Sequence, residues 1–418
     1  MEYCKRCCYP ANTKPMILFD EKGVCSGCRY NEQRPKIDWQ EREKMLRDLL
    51  EKYKAEAKAR GSTYDCIIPV SGGKDSHFQT YLMKEVYKMN PLLVTFNHGF
   101  NTELGVRNLT NLLNQFNCHL VRFTLNPESI RKIARFMLKK IGDITWHYHA
   151  GITTFPIQMA VRYKVPLVIW GEQGFADMMG MYRHEDMLEF SEKIRREHDM
   201  RGLEPEDILQ DPANKELTAQ DLEPFVYPSE EEIESIGVRG IYVSNFVPWN
   251  AKKQTEALIK DYGFETAEKK ERTFNIYDKT DDAANAVHDY LRYLKFGYGR
   301  ATDDASTEIR YQRMTREEGI SQVAKYDSLR PASLDKFLKF LGMTDQEFLG
   351  NIDHLRDPQI WEKDGKSVWL VKDSIAKHIN DKGVDEVRLP KGNESNKFIV
   401  STKKTSYSRG SDDGFVLL

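Results

Sequence analysis

The stretch "YDCIIPVSGGKDSHF" (residues 64–78) decides how this chain folds and where its chemistry lies. An apolar run, "CIIPV", breaks off into Ser-Gly-Gly-Lys-Asp-Ser, and a helical pattern follows. The run predicts a buried strand, and two adjacent glycines allow backbone conformations that other residues avoid. The next helix directs its first N–H groups at whatever lies in the turn. The stretch therefore predicts a strand, an anion-binding glycine turn (residues 70–76) and a helix.

The glycine turn does not match the mononucleotide P-loop, G-x-x-x-x-G-K-[ST]. That motif needs a glycine five residues before Gly73, where Ile68 stands. It also needs Ser or Thr after Lys74, where Asp75 stands. Transfer of a γ-phosphoryl group is therefore disfavoured, and an ordinary Ser/Gly-rich turn without a ligand remains the alternative.

Short apolar runs alternate with helical stretches from residue 64 to about residue 182. This alternation predicts an α/β fold with a doubly wound parallel sheet, because right-handed crossovers bring successive strands into one sheet. Ligands of such sheets bind outside the carboxyl ends of the strands. The segments "TFNHG" (95–99) and "WGEQG" (170–174) end later strands, so we expect them at the same edge as the glycine turn.

Four of the seven cysteines form two pairs with metal-ligand spacing, "CKRC" (Cys4, Cys7) and "CSGC" (Cys25, Cys28), with seventeen residues between the pairs. Two thiolates on each of two tight knuckles suit a tetrahedral Zn²⁺ ribbon. An iron–sulfur cluster and a disulfide framework are the alternatives. Cys8 directly follows Cys7, and the two-residue gap favours Cys7 as the ligand.

The sequence patterns divide the chain into seven parts. Residues 183–240 are charged, Pro-punctuated and partly helical, which predicts an inserted helical lid, with a solvated excursion without function as the alternative. The Ser/Lys-rich end predicts weak order. The seven parts are a zinc ribbon (1–35), a linker helix (36–62), the strand–helix core (63–182), the insertion (183–240), a return to the core (241–275), a helical C-terminal region (276–390) and a tail (391–418).

Charge and hydropathy disfavour several classes of protein, although a local basic patch remains compatible with the near-neutral balance. The 62 basic and 64 acidic residues nearly cancel, which disfavours a protein that binds nucleic acid or coats an anionic membrane. The opening "MEYCKRCCYP" lacks the apolar core of a signal peptide, and no apolar stretch reaches the ~20 residues that span a bilayer. These features predict a cytoplasmic protein without membrane contact.

The motif "SGGKDS" (71–76) resembles the S-G-G-x-D-S loop of the ATP pyrophosphatase superfamily, which has the adenine-nucleotide α-hydrolase-like fold. The resemblance implies cleavage of ATP between the α and β phosphates, with Mg²⁺ as a cofactor. It makes Asp75, Lys74 and Glu172 candidate catalytic residues, although a carboxylate such as Glu172 at a strand end is often only a helix cap. The implied nucleotide-binding residues are Val70, Ser71, Gly72, Gly73, Ser76, Phe96, Asn97, His98 and Gly171.

Several further side chains could bind a ligand or could have a purely structural role. Lys295 and Arg300 flank "FGYG" (296–299), where they would contact phosphate or a sugar nucleotide, or only connect two helices. His98 is equally well explained as a surface histidine. Aromatic and polar groups that suit a sugar face, or else the core, are Trp146, His147, His149, Trp249 and Asn250.

Over roughly residues 3–380 the chain resembles the N-acetyl sugar amidotransferases of bacterial surface-polysaccharide and nonulosonic acid biosynthesis. The resemblance lies in "CKRCCYPANTKPMILFDEKGVCSGC" (4–28), "SGGKDS", "VPWNAKKQTE" (247–256) and "LKFGYGRATDDASTEIRYQRMTREEGI" (294–320). It implies conversion of a sugar N-acetyl group, on a nucleotide-linked sugar or a nonulosonic acid, into an acetamidino group through an O-adenylyl imidate. It also implies ammonia from a separate glutaminase subunit, either alone or together with a cyclase-like companion.

Two alternatives from other functional classes remain open at this point. A tRNA-thiolating enzyme with the same loop commonly needs a cysteine near the nucleotide. Cys66 and Cys118 lie in apolar sequence, where a buried inert thiol is favoured, and the near-neutral charge also disfavours tRNA. A non-catalytic nucleotide-binding scaffold would keep the glycine turn but would not need Asp75.

Overall fold

The computed structural model describes residues 1–268 and 270–381. Its strands are β1 Cys66–Pro69, β2 Pro91–Asn97, β3 His119–Thr124, β4 Leu167–Trp170, β5 Glu189–Phe190, β6 Arg239–Tyr242, β7 Trp361–Lys363 and β8 Trp369–Val371. Six of them form one sheet in the order β3-β2-β1-β4-β6-β5, in which only the edge strand β5 is antiparallel. The predicted α/β fold with a mostly parallel sheet is confirmed.

Helices cover both faces of the sheet and form most of the C-terminal region. They are α1 Ser26–Gln33, α2 Trp39–Ala59, α3 Lys74–Tyr81, α4 Glu103–Phe116, α5 Pro127–Ile141, α6 Trp146–Tyr163, α7 Gly174–Asp177, α8 Glu192–Ile194, α9 Pro205–Gln210, α10 Ala219–Leu222, α11 Glu230–Ile236, α12 Ala251–Tyr262, α13 Asn285–Phe296, α14 Arg300–Arg310, α15 Arg316–Tyr326, α16 Leu334–Leu341 and α17 Asp345–Gly350. Within the residues that the structure describes, none of these helices combines the length and the apolar composition that a bilayer span requires.

The sheet is buried on both faces, as a parallel sheet requires. On β1, Ile67 packs into one apolar core with α5 and α6, whereas Ile68 packs into the other core with α2 and α4. The chain runs outward from β1 through β2 to β3 and then returns to β4 on the other side of β1. The strand order therefore reverses between β1 and β4, which is where open α/β sheets bind their ligands.

Helix α2 lies within the predicted linker and also builds the core. The Asp38 carboxylate accepts the N–H groups of Gln40 and Glu41 and so caps the first turn. Leu46 and Leu50 are fully buried against the sheet. The linker is therefore a packed layer of the core rather than a free spacer.

The insertion differs from the predicted helical lid. It contains β5 as well as short helices, and β6 begins at Arg239, inside the predicted limits. Its apolar side chains, among them Met200 and Phe225, pack into the core beside α6, and the ring centroids of Phe225 and Trp146 lie 5.3 Å apart. The segment thus completes one face of the sheet.

The C-terminal region is helical from α13 to α17 and then contains a small antiparallel hairpin of β7 and β8, which was not predicted. The N-terminal ribbon packs against this region, since Tyr9 and Cys8 share an apolar cluster with Ile309 and Ile320 of α14 and α15. The predicted tail (391–418) lies outside the described residues.

Candidate active site

The glycine turn lies at the carboxyl end of β1, next to the point where the strand order reverses. The Ser76 hydroxyl accepts the N–H of Ser71 at 2.8 Å, and the Ser71 hydroxyl accepts the N–H of Gly73 at 3.2 Å. Gly72 approaches α4 so closely that a Cβ atom there would lie 2.2 Å from the Gly105 carbonyl oxygen. The two serines therefore shape the turn from inside, and Gly72 lets it dock on the neighbouring helix.

Lys74 is the first residue of α3 and is 4% exposed. Its ammonium donates to Asp75 Oδ2 at 2.6 Å and to Asp278 Oδ1 at 2.9 Å. Burial alone would lower the pKa of Lys74, but the carboxylates of Asp278 and Asp75 outweigh burial and hold that pKa well above its usual value. Lys74 is therefore a fixed positive charge at the start of the helix.

Two carboxyl groups with raised pKa values face this charge. Burial raises the pKa of Asp75 despite the nearby Lys74, and no donor among the described residues reaches its buried Oδ1 atom. Glu172 follows β4 and lines the cleft, where partial loss of hydration and then the negative charge of Asp75 raise its pKa to about 8. Both groups are oxygen donors available to a cation or a proton.

The C-terminal region forms the opposite wall of the cleft. A cavity of about 90 Å³ is bounded by Lys74 and Glu172 on one side and by Arg300 and Asp304 on the other. Arg300 makes two parallel hydrogen bonds to Asp289, of 3.1 and 3.0 Å. A second cavity, of about 340 Å³, adjoins the first and shares Arg300 and Asp304 with it.

The side of the glycine turn that faces β2 is nearly closed. Ser71, Gly72, Asn97 and His98 line a space of only about 20 Å³. Asn97 donates to Thr124 Oγ1 at 3.1 Å, and the Nδ1 atom of His98 accepts the Phe100 N–H at 3.1 Å. The structure therefore brings Asn97 and His98 to the turn but leaves no room there for a nucleoside.

Three predicted residues do not reach the cleft with their side chains. The Phe96 ring is 3% exposed and stacks on Phe123 within the core, with ring centroids 5.6 Å apart. Val70 is likewise a core residue. Lys295 donates to the Ile141 carbonyl at 3.1 Å, so it neutralises the C-terminal end of α5 instead of binding phosphate.

The candidates for a sugar-binding face lie partly in the core and partly at the cleft. Trp146 and His147 are buried in the core, where the indole N–H donates to Met200 and the imidazole contacts the His98 carbonyl. Trp249 lines the cavity that also contains Lys74. Asn250 caps α12 by accepting the Lys253 N–H.

His149 and Gly171 complete the set of candidates. His149, on the first turns of α6, lies with its ring centroid 5.7 Å from that of His288. A Cβ atom at Gly171 would lie 2.1 Å from the side-chain nitrogen of Gln79. Gly171 therefore allows the end of β4 to lie close against α3.

The C-terminal wall of the cleft can be compared with known proteins. Residues 271–375 match the family described as "LPS biosynthesis protein WbpG-like, C-terminal domain". This part of the chain is similar to that family, and we call it the WbpG-like domain. Over these residues the match confirms the resemblance that the sequence predicts. The WbpG-like domain contributes Asp278, Arg300 and Asp304 to the cleft.

Similarity to individual known proteins covers only part of the chain. The protein MJ1599 of Methanocaldococcus jannaschii, described as uncharacterized, is 29% identical over 154 residues, which are 34% of this chain. The chain thus spans about half (54%) of the length of that curated relative.

Solved structures with partial similarity include two synthetases. An NH3-dependent NAD synthetase from Campylobacter jejuni is 16% identical with a TM-score of 0.26, covering 35% of this chain and 62% of that chain. An NMN synthetase from Francisella tularensis is 14% identical with a TM-score of 0.27, covering 48% of this chain and 93% of that chain.

Sequence reasoning missed the acidic residues that the WbpG-like domain brings to the glycine turn. Asp278 binds Lys74, and Asp281 Oδ2 accepts the Gly72 N–H at 3.4 Å. The signal in the sequence is "DKTDDAAN" (278–285), a run of acidic residues directly before a helix. Nothing local in that run indicates which part of the core it meets.

The four predicted metal ligands form a second centre, away from the cleft. The sulfur atoms of Cys4, Cys7, Cys25 and Cys28 all lie within 4.8 Å of one another and are buried. Zn–S bonds of ~2.3 Å in a tetrahedron place sulfur atoms ~3.8 Å apart, so the set fits one Zn²⁺ ion. The N–H groups of Cys7 and Cys25 donate to Cys4 Sγ, and Cys8 is not part of the set.

Proposed function

We propose that this protein is an ATP-dependent amidotransferase that converts the N-acetyl group of a sugar into an acetamidino group. The observation that carries the proposal is the shared cleft. A glycine turn of the S-G-G-x-D-S type, with Lys74 and Asp75, faces a WbpG-like domain across one cavity. The turn suits a pyrophosphate group, and the adjoining cavity of about 340 Å³ has the size of a small-molecule site.

The chemistry follows from the poor reactivity of an amide. The acetamido oxygen attacks the α-phosphorus of ATP, the bond to the β-phosphate breaks, and pyrophosphate leaves. The product is an O-adenylyl imidate. Ammonia then adds to the activated carbon, the C–O bond to AMP breaks, and one proton is lost. The reaction needs positioning and charge stabilisation rather than a nucleophilic side chain.

The residues of the cleft have distinct roles in this scheme. Lys74 supplies a fixed positive charge for the departing pyrophosphate. Glu172, whose pKa is about 8, would take up the proton that ammonia loses. Asp75 would hold Mg²⁺, and its unpartnered Oδ1 atom fits that role. Bound Mg²⁺ supplies charge neutralisation on the leaving pyrophosphate.

The implied partners belong to the same proposal. Ammonia would come from a separate glutaminase subunit, either alone or together with a cyclase-like companion. The acceptor would be an N-acetyl sugar, either linked to a nucleotide or a nonulosonic acid. In the part of the chain that the structure describes, no cysteine lines the three cavities beside the glycine turn, which disfavours a thiolating enzyme.

The test is release of pyrophosphate from ATP in the presence of Mg²⁺, ammonium and a panel of N-acetyl sugars. We expect release that depends on the sugar, and an Asp75→Asn variant at least 100-fold slower than the wild type. Asp48→Asn, on the exposed face of α2, serves as the matched control with unchanged activity. Release that depends on tRNA, or no release with any sugar, would overturn the proposal.

A further inference from the structure

The acidic turn (residues 278–282) of the WbpG-like domain is hydrogen-bonded to the segment that follows β2. The Thr102 N–H donates to the Asp281 carbonyl at 3.1 Å, and the Thr102 hydroxyl donates to the Thr280 carbonyl at 2.6 Å. The Ala283 N–H donates to the Phe100 carbonyl at 2.9 Å. These three hydrogen bonds fix the acidic turn directly above the glycine turn.

Two carboxylates of the acidic turn engage two different donors of the glycine turn. Asp281 Oδ2 accepts the Gly72 N–H at 3.4 Å, and Asp278 Oδ1 accepts from the Lys74 ammonium at 2.9 Å. A backbone N–H and a lysine ammonium at the start of a helix are the groups that bind phosphate in such turns. Carboxylate oxygens therefore lie where phosphate oxygens would bind.

Because both are negatively charged, the carboxylates of the acidic turn and a pyrophosphate group cannot favourably share the same donors. Burial would raise the pKa of Asp278, but Lys74 holds that pKa below its usual range, so the carboxylate is ionised at neutral pH. A pyrophosphate group brought to the same donors would meet two carboxylates at contact distance in a poorly solvated cleft. The space beside Gly72, only about 20 Å³, is also too small for it.

We propose that the acidic turn is a built-in anion mimic, and that the pyrophosphate portion of ATP displaces it from the glycine turn. The inference rests on the proposed function only in taking the glycine turn as the pyrophosphate site. The same turn contributes Asp278, Lys279 and Asp282 to the lining of the 340 Å³ cavity. Displacement by ATP would therefore also change the lining of this cavity.

The first test measures binding of inorganic pyrophosphate with Mg²⁺ by calorimetry. Asp281→Asn keeps the size of the side chain but removes the charge that competes for Gly72, so we expect its dissociation constant to fall about tenfold. Asp335→Asn, exposed on α16, is the control and should bind as the wild type does. Unchanged binding overturns the proposal, and weaker binding overturns it in favour of Asp281 as a cation ligand.

The second test needs no variant and follows hydrogen exchange in the wild-type protein. Displacement removes the acceptors of the Thr102 and Ala283 N–H groups, so pyrophosphate should speed their exchange several-fold. Slower exchange would show that the acidic turn stays in place and closes over pyrophosphate, and this result would overturn the proposal. Both tests omit the sugar and ammonium. Failure of the amidotransferase assay therefore leaves these results intact, whereas absence of pyrophosphate binding in every variant overturns the mimic itself.

Discussion

Glu172 shows how one carboxyl group in the cleft sets a pH dependence. Burial, followed by the charge of Asp75, raises its pKa to about 8, so the neutral form prevails below that pH and the carboxylate above it. We expect kcat/KM for ATP, measured by pyrophosphate release, to rise with pH through a midpoint near 8, because kcat/KM reports the free enzyme. Glu172→Gln should lose the midpoint and become 10- to 100-fold slower. Glu206→Gln, exposed on α9, should keep both rate and midpoint, and a midpoint that persists in Glu172→Gln would contradict the assignment.

Asp304 offers a test on stability. Burial raises its pKa from 3.8 to about 7 although Arg300 opposes the shift. Asp304 therefore binds a proton more tightly in the folded protein than in the unfolded chain, and its contribution to the free energy of unfolding falls as pH rises from about 4 to 7. Asp304→Asn lacks this penalty. Its stability relative to the wild type should grow across that window by at most ~4 kcal/mol and stay level above it, as measured by urea unfolding. Parallel curves for the two proteins would contradict the shift.

Residues of the site differ in how well sequence predicts them. Lys74 and Asp75 are local to a strand–turn–helix motif, so their placement follows from the pattern. Asp278 and Asp281 meet the motif only through tertiary packing, which no local pattern encodes. The side chain of Phe96 does not reach the cleft as predicted, for a related reason. Successive strand residues point to opposite faces, and the pattern of β2, buried on both faces, does not show which face meets the cleft.

At the scale of elements, the glycine turn contacts α4 where Gly72 approaches Gly105. This contact involves Gly72 and not Gly73, so the two glycines have different roles. A Cβ atom at Gly72 would lie 2.2 Å from the Gly105 carbonyl oxygen, a backbone atom that cannot move alone. A Cβ atom at Gly73, whose φ is −82°, meets nothing closer than the Ser71 hydroxyl at 3.4 Å. We expect Gly72→Ala to lower the free energy of unfolding by roughly 2–3 kcal/mol.

The matched variant is Gly73→Ala, which should change stability by less than about 1 kcal/mol, in either direction. Chemical unfolding of both variants gives the comparison directly. Equal destabilisation would mean that the loop tolerates a side chain at Gly72, and that the close approach of the glycine turn to α4 is not required for folding.

Elements in strict alternation were predictable, whereas those that depend on distant partners were not. The strands β1, β2 and β4 are apolar runs buried on both faces, so their composition alone indicates them. β5 is two residues long and exists because it pairs with β6. β7 and β8 are three residues each, and their mostly exposed side chains give no clear alternation. Such short segments carry too little pattern to be recognised.

At the scale of the whole molecule, α14 connects the two centres. Arg300 at its first residue lines the cleft, and Arg310 at its last residue donates to Cys25 Sγ of the cysteine set at 3.5 Å. In the first turn of the helix, Asp303 accepts from the Tyr9 hydroxyl of the ribbon at 2.9 Å. The ribbon therefore supports the helix that forms the far wall of the cleft.

This connection predicts that removing a metal ligand weakens nucleotide binding at a distance. Cys7→Ser breaks the four-sulfur set, so we expect loss of bound Zn²⁺, a lower Tm and an ATP dissociation constant raised about tenfold, because α14 loses its packing partner. Metal analysis, thermal unfolding and calorimetry with ATP measure the three effects.

Cys8→Ser is the matched control. Cys8 is an equally buried neighbour outside the set, so this variant should keep its metal and its ATP affinity and lose only ~1–3 kcal/mol of stability from the buried hydroxyl. If Cys7→Ser loses its metal but binds ATP as tightly as Cys8→Ser does, the ribbon is independent of the cleft, and the contacts of α14 with Tyr9 and Cys25 do not position Arg300.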